Sequence, residues 1–270
     1  KNINLKNIKY FTSWKKMIVA LKPNIIAIGV PPKEQEKILL FILKKKINFL
    51  CEKPISDNNR KLSLFSKLSN KINCTRLVDL NFVTIPSIQK FRYLINKEKY
   101  NKLTKINIDW FFKPRSLTQQ SNWKNKKNQL GDEINNFFFH LISIIDYIFG
   151  DLKVKLIKRK NYYYIFQFNN KKLSINVNFN SRSKKNLFRI KFNNMFNTIE
   201  LINKSKDYHN YYNLYKNKKR IYSKNFDIKK SRILASKNIL DIFLGKNKKI
   251  KKYVDFKKAI NIQKKINSLI

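Results

Sequence analysis

Residues 24 to 56 hold two short apolar runs separated by an amphipathic segment, and this order constrains the fold more than any other feature of the chain. Asn24 to Val30 (NIIAIGV) is too short for a helix and lacks polar alternation, the pattern of a strand buried on both faces of a parallel sheet. Pro31-Pro32 stops that run. Ile38, Leu39, Ile42 and Leu43 then recur at helical spacing among lysines and glutamates, and the second apolar run ends in Glu52-Lys53-Pro54. The stretch predicts a strand–helix–strand crossover of about the ~30 residues such a unit needs. Parallel strands aim their carboxyl ends at a ligand crevice, so Val30, Pro31 and Pro32 should face Glu52 and Lys53 across one.

Ahead of this unit, Ser13 is placed to cap a short helix carrying Trp14, Met17, Ile18 and Leu21 inward. Behind it, Ser56-Asp57 offers a cap for a helix with Leu62, Phe65, Leu68 and Ile72 on one face, and Arg76 to Phe82 reads as a further strand. Pro86 suits the first turn of a helix with Ile88, Phe91, Leu94 and Ile95 inside. Leu103 to Phe112 follows as a strand with Ile106, Ile108 and Trp110 on one side. Lys113 to Gln129 is polar and without period, a loop that contains Trp123.

Gly131 to Gly150 (GDEINNFFFHLISIIDYIFG) predicts a buried helix, with Gly150 just past its end. His140 lies on it, four residues after Asn136, so both are expected on one face. A lone histidine on such a helix is more often a satisfied core residue than a catalyst. Beyond it, Tyr162 to Phe168, Leu173 to Phe179, Leu187 to Phe192 and Thr198 to Ile202 alternate between apolar and polar, with Asn pairs at the turns. They predict an antiparallel sheet with one buried face. Tyr208 to Tyr222 reads as a solvated excursion from it, although its interleaved Tyr, Lys, Arg and His209 also suit stacking on nucleic-acid bases. Ser231 to Leu244 and Asp255 to Ile270 read as two amphipathic helices, with Leu234, Ile239, Ile242 and Phe243 packing the first.

The chain of 270 residues is long enough for a real core, and its 43% hydrophobic content argues against disorder. Its net charge of +44 points by itself to nucleic acid or another polyanion. The excess is spread along the whole chain together with abundant Asn and Ile, however, which a genome biased toward A/T codons also produces, and a nucleic-acid partner is not expected. Cys51 and Cys74 fit neither a disulfide framework nor a zinc site, and a reducing cytoplasm is the natural compartment. No apolar run approaches the ~20 residues of a membrane span.

The apolar strand, Pro-Pro turn, helix and Cys-Glu-Lys-Pro, in this order, resemble the nucleotide-binding domain of the Gfo/Idh/MocA family of sugar and polyol oxidoreductases. The resemblance implies an α/β chain: a partial Rossmann domain with a parallel sheet over residues 1–80, then an α+β domain with a large, mainly antiparallel sheet over 81–270. It implies NAD or NADP as cofactor, with Val30, Pro31, Pro32, Glu52, Lys53 and Asn81 near the nicotinamide. Lys53 would face the reacting carbon of a sugar or polyol, and His140 would take the proton. Asn136 stands where the family carries Asp, and Val83-Thr84 where Arg is common. Trp123 either stacks on a sugar face or closes the core. Such a large sheet often dimerises in the family, so a homo-oligomer is expected.

With only Gly29, Gly131, Gly150 and Gly245, no G-x-G-x-x-G can be written. The chain therefore reads as lacking one βαβ unit at its start, either as a fragment or as a truncated product. A noncatalytic or decayed relative, basic and polyanion-binding, is the competing expectation.

Overall fold

The computed structural model describes residues 8–70, 73–98, 100, 104–112, 134–221, 230–246 and 248–269. Ser13 Oγ accepts from Lys16 N at 3.4 Å and opens α1 (Trp14–Leu21). The crossover then forms as β1 (Ile25–Ile28), α2 (Pro32–Lys45) and β2 (Asn48–Cys51), with Ile38, Leu39, Ile42 and Leu43 buried under the sheet. A second crossover through α3 (Asn59–Asn70) leads to β3 (Arg76–Val78), and the three strands pair in parallel in the order β1-β2-β3.

Three local expectations are corrected here. β1 is an edge strand buried on one face only, with Ile26 and Ile28 in the core and Ile25 46% exposed, because no described element covers its outward face. The cap of α3 is Asn58 rather than Ser56 or Asp57: Asn58 Oδ1 accepts from Arg60 N and Lys61 N, while Ser56 Oγ accepts from Asn58 N one step earlier. β3 ends at Val78, and Asn81 belongs to a 3-10 turn (Asn81–Thr84) held by the bond from Thr84 Oγ1 to the Asn81 carbonyl at 2.7 Å.

After α4 (Pro86–Ile95), β4 (Lys105–Phe111) enters the middle of an eight-stranded sheet. The other strands are β5 (Lys153–Lys160), β6 (Tyr163–Asn169), β7 (Ser174–Asn180), β8 (Leu187–Asn193), β9 (Thr198–Asn203), β10 (Asn213–Lys216) and β11 (Lys219–Arg220). Their order is β11-β10-β9-β8-β4-β7-β6-β5, and β4–β7 is the single parallel pair in that sheet. Strand alternation sends Ile106, Ile108, Trp110, Phe166, Phe179, Phe188 and Phe192 to one buried face. The opposite face is polar: Asp109 accepts from Asn178 Nδ2 at 2.8 Å and from Arg189 Nε at 2.9 Å, across three adjacent strands.

A π-helical turn (Ile134–Phe138) followed by α5 (Phe139–Phe149) covers the buried face, Phe138 stacking on Phe166 at 4.0 Å. Gly150, at φ 86°, closes α5 as its C-cap. The expected regular helix is thus a π turn joined to an α-helix; Gly131 and Trp123 lie outside the described residues.

Tyr208 to Tyr222 also departs from expectation. Residues 213–216 and 219–220 form the edge strands β10 and β11, and Tyr212 is 2% exposed with its hydroxyl donating to the Tyr208 carbonyl at 2.7 Å. Burying the Tyr212 ring and packing Tyr208 against the core outweigh solvating the segment.

The chain closes with α6 (Ser231–Phe243), α7 (Lys248–Val254) and α8 (Phe256–Asn267). On α6 the buried apolar positions are Ala235, Ile239 and Ile242, and Leu234 points outward. α8 returns to the small sheet. Its Phe256 meets Phe49 of β2 edge-on at 5.1 Å and Phe65 of α3 at 6.3 Å, so one apolar cluster runs under both sheets. Among the described residues no helix is long and apolar enough to cross a membrane.

Candidate functional site

The carboxyl ends of β1, β2 and β3 lie along one edge of the small sheet. Past β1 the chain turns through Gly29 and Val30. Pro31 is the N-cap and Pro32 the first residue of α2, where a missing N–H costs nothing. Past β2 comes Glu52-Lys53-Pro54, whose Lys53–Pro54 peptide bond is cis. Asn81 stands three residues past β3, at the head of the 3-10 turn. The structure thus brings Val30, Pro31, Pro32, Glu52, Lys53 and Asn81 to one edge.

Two buried glutamines fix the turn that carries Lys53. Gln35 of α2, 1% exposed, donates from Nε2 to the carbonyls of Glu52 (2.7 Å) and Pro54 (3.1 Å), and its Oε1 accepts from Glu52 N at 3.1 Å. From the other side Gln263 of α8, 0% exposed, accepts from Ile55 N at 3.0 Å and donates to Asn135 Oδ1 at 3.1 Å. Asn135 lies in the π turn, so Gln263 ties the Lys53 turn to the start of the helix that carries His140.

Lys53 Nζ donates to the main-chain carbonyl of Asn136 in that π turn. The wider winding of a π turn is often found at functional sites. Asn136 is buried, and it meets Lys53 through its backbone; its side chain and His140 are no longer one regular α-helical turn apart.

His140 packs against the ring of Phe82 at 4.6 Å, and its Nδ1 is enclosed with no hydrogen-bond partner among the described residues. Burial pushes its pKa well below the usual histidine range, and the positive charge of Lys53, then that of His209, push it the same way. The ring is neutral at neutral pH. Burial likewise pushes the Cys51 thiol well up, which makes it a core residue rather than a nucleophile.

His209, which sequence reasoning placed on a solvated excursion, also packs on Phe82 at 4.6 Å, and its Nε2 lies 3.2 Å from Asn81 Oδ1. Gln35 and Gln263 were missed too. A polar residue at a core position of an otherwise apolar helix face was the available signal for both, and the rarity of histidine, two in 270 residues, was the signal for His209.

A lysine, a neutral histidine and two carboxamides gather at the carboxyl edge of a parallel αβ sheet backed by a large mixed sheet, the arrangement of a Rossmann-like unit followed by an α+β one. Residues 3–80 match the Gfo/Idh/MocA oxidoreductase family, NAD-binding Rossmann fold, so the resemblance read from Pro31-Pro32 and Glu52-Lys53-Pro54 is borne out over that stretch. No curated protein sequence matches the chain.

Solved structures match nearly all of it. An oxidoreductase from Thermotoga maritima superposes with a TM-score of 0.75 at 15% identity, over 96% of this chain and 79% of that one. The transcriptional regulator Gal80p from Kluyveromyces lactis gives 0.76 at 17%, over 98% and 76%. The WlbA dehydrogenase from Bordetella pertussis, in complex with NADH and UDP-GlcNAcA, gives 0.71 at 11%, over 95% and 80%. At such identities the likeness shows the fold: a parallel Rossmann-like sheet followed by a large, mostly antiparallel one.

Proposed function

We propose that the protein is an NAD(P)-dependent oxidoreductase that moves a hydride between the nicotinamide and a secondary alcohol or ketone of a sugar, sugar nucleotide or polyol. The observation that carries this reading is the juxtaposition of Lys53 with the π turn leading into His140. The residues at the sheet edge fit the nicotinamide end of a dinucleotide, because Val30 and the two prolines offer an apolar wall beside the polar Lys53 and Asn81. When bound, that group supplies the hydride acceptor.

The chain's own residues do the rest. Lys53 holds the alcohol oxygen and stabilises the charge that grows on it. His140, whose imidazole is neutral, accepts the hydroxyl proton; such general-base catalysis contributes roughly 10²–10⁴-fold. Asn136 orients a hydroxyl but carries no proton. The polar face of the large sheet is the surface for self-association, and the two free thiols suit a reducing cytoplasm.

Titration of the full chain with NAD⁺, NADH, NADP⁺ and NADPH, followed by a screen of sugars and polyols at 340 nm, tests this. Binding of one pair is expected, with turnover that Lys53→Met lowers about 10²–10³-fold. Failure to bind any of the four would end the reading. Asn136 in place of a carboxylate favours a second one, a noncatalytic basic protein on the same fold. Dinucleotide binding without turnover of any sugar or polyol would support it.

A further inference from the structure

The chain has two histidines, both packed on the ring of Phe82, and the reading above uses one of them. We propose that His209 is a positioning residue of the same site: it donates its Nε2 proton to Asn81 Oδ1 and thereby turns the NH2 edge of that carboxamide toward the crevice, where it donates to an acceptor on the nicotinamide nucleotide. The choice of ligand rests on the oxidoreductase reading, whereas the pairing of His209 with Asn81 rests on geometry.

A carboxamide has a donor edge and an acceptor edge, and only its partners decide which way it faces. Here the acceptor edge lies 3.2 Å from His209 Nε2. Both partners are held. The Asn81 turn is braced from α6, where Thr84 Oγ1 shares its one proton between the Asn81 carbonyl and the Ala235 carbonyl at 3.0 Å, and Asn238 Nδ2 donates to the Thr84 carbonyl at 3.2 Å.

The loop from Asn203 to Asn210 is closed on itself. Asn203, 1% exposed, donates from Nδ2 to the carbonyls of Asp207 (2.8 Å) and Asn210 (2.7 Å), and Asp207 Oδ1 accepts from His209 N at 3.1 Å. Next to His209, Tyr208 wedges against Trp110 at 6.0 Å, and Phe82 rests on the same indole at 6.1 Å. One aromatic floor therefore sets the height of Asn81, Phe82 and His209 together. The charged and titratable groups around the ring are the Asp207 carboxylate on its own loop, the neutral His140 across Phe82, and the Lys53 ammonium beside His140. A solvated loop residue has no use for so much fixing, whereas a group that must present one edge of another side chain does.

Histidine-selective ¹⁵N labelling of the full chain gives two ring systems, and His209→Gln assigns them by deleting one. The neutral Nε2–H tautomer is expected for His209, together with an upward move of its titration midpoint by about 1–3 pH units in Asn81→Asp, where a carboxylate replaces the amide. In Asn81→Leu, which removes the acceptor, the Nδ1–H tautomer should gain population. A Nδ1–H tautomer in the native chain, or rings indifferent to both Asn81 variants, would overturn the pairing.

Calorimetric titration with the preferred dinucleotide supplies the second arm, with thermal melts to verify folding. His209→Ala should weaken binding about tenfold, and His209→Gln, whose amide also donates, should stay within about threefold of the native chain. Equal loss in both variants, or none in either, would remove the positioning role. If the native chain binds no dinucleotide, the oxidoreductase reading fails on its own, and the ring spectra still decide the pairing.

Discussion

His140 is kept neutral first by burial and then by the positive charges of Lys53 and His209. In an unfolded chain a histidine titrates near ~6.5. Between its depressed folded midpoint and about pH 6.5 the unfolded state binds a proton that the folded state refuses. Stability should therefore rise with pH through that window and level off above it, at no more than about 1.4 kcal/mol per pH unit. Asp146 acts in the opposite sense. Burial raises its pKa against the pull of Lys265 and Lys258, so its contribution is complete below the carboxylate range and is lost as pH rises through its folded midpoint. Comparing native chain with His140→Leu, which leaves Asp146 in place, isolates the histidine: urea midpoints between about pH 5 and 8 should slope in the first and flatten in the second. Parallel slopes would mean that His140 is not the titrating group. On turnover, His140→Ala should cost about 10²–10⁴-fold at neutral pH, and a loss within twofold would remove it as the base.

Among the elements, α8 has the widest reach, because one of its side chains joins the Lys53 turn to the π turn ahead of α5. Gln263→Leu keeps the volume but removes the acceptor of the buried Ile55 N–H and one donor to Asn135 Oδ1. A loss of about 2–3 kcal/mol follows, read from urea unfolding, with poorer dinucleotide binding. A change under about 0.5 kcal/mol would show that water replaces the amide. The strands and helices around this network were legible from periodicity alone. Ile38, Leu39, Ile42 and Leu43 announced α2, and the alternation from Leu187 to Phe192 announced β8. Three kinds of feature were not legible. The π turn at Ile134–Phe138 has the same apolar spacing as an α-helix over five residues. β1 looked buried on both faces because an apolar run does not report which face the fold leaves uncovered. The long-range hydrogen bonds of Gln35, Gln263 and His209 depend on partners 17 to 208 residues away, which local pattern does not encode. Lys53 was found from its motif, and its bond to the Asn136 carbonyl was not.

Over the whole molecule, a net charge of +44 is set against few carboxylates. Glu98 is shared by Lys216, Asn194 and Asn197, Asp109 by Arg189 and Asn178, and Asp146 by Lys258 and Lys265. With 60 Lys and Arg against 16 Asp and Glu, like-charge repulsion exceeds what pairing offsets, and exposed lysines such as Lys153, Lys155 and Lys158 line the outer strand β5, where charge also discourages edge-to-edge pairing. Raising the salt from about 0.01 M to 1 M shortens the screening length from roughly 30 Å to roughly 3 Å, so the melting temperature should climb in sodium chloride. A falling melting temperature would show that the ion pairs outweigh the repulsion. The bond between Ile55 and Gln263 bears on time as well as energy. It spans 208 residues, so a chain emerging from the ribosome exposes Lys53 long before the side chain that steadies it has been made. Until then Gln35 and the Asn136 carbonyl hold the turn without α8, and its last brace arrives only with the C-terminal helix.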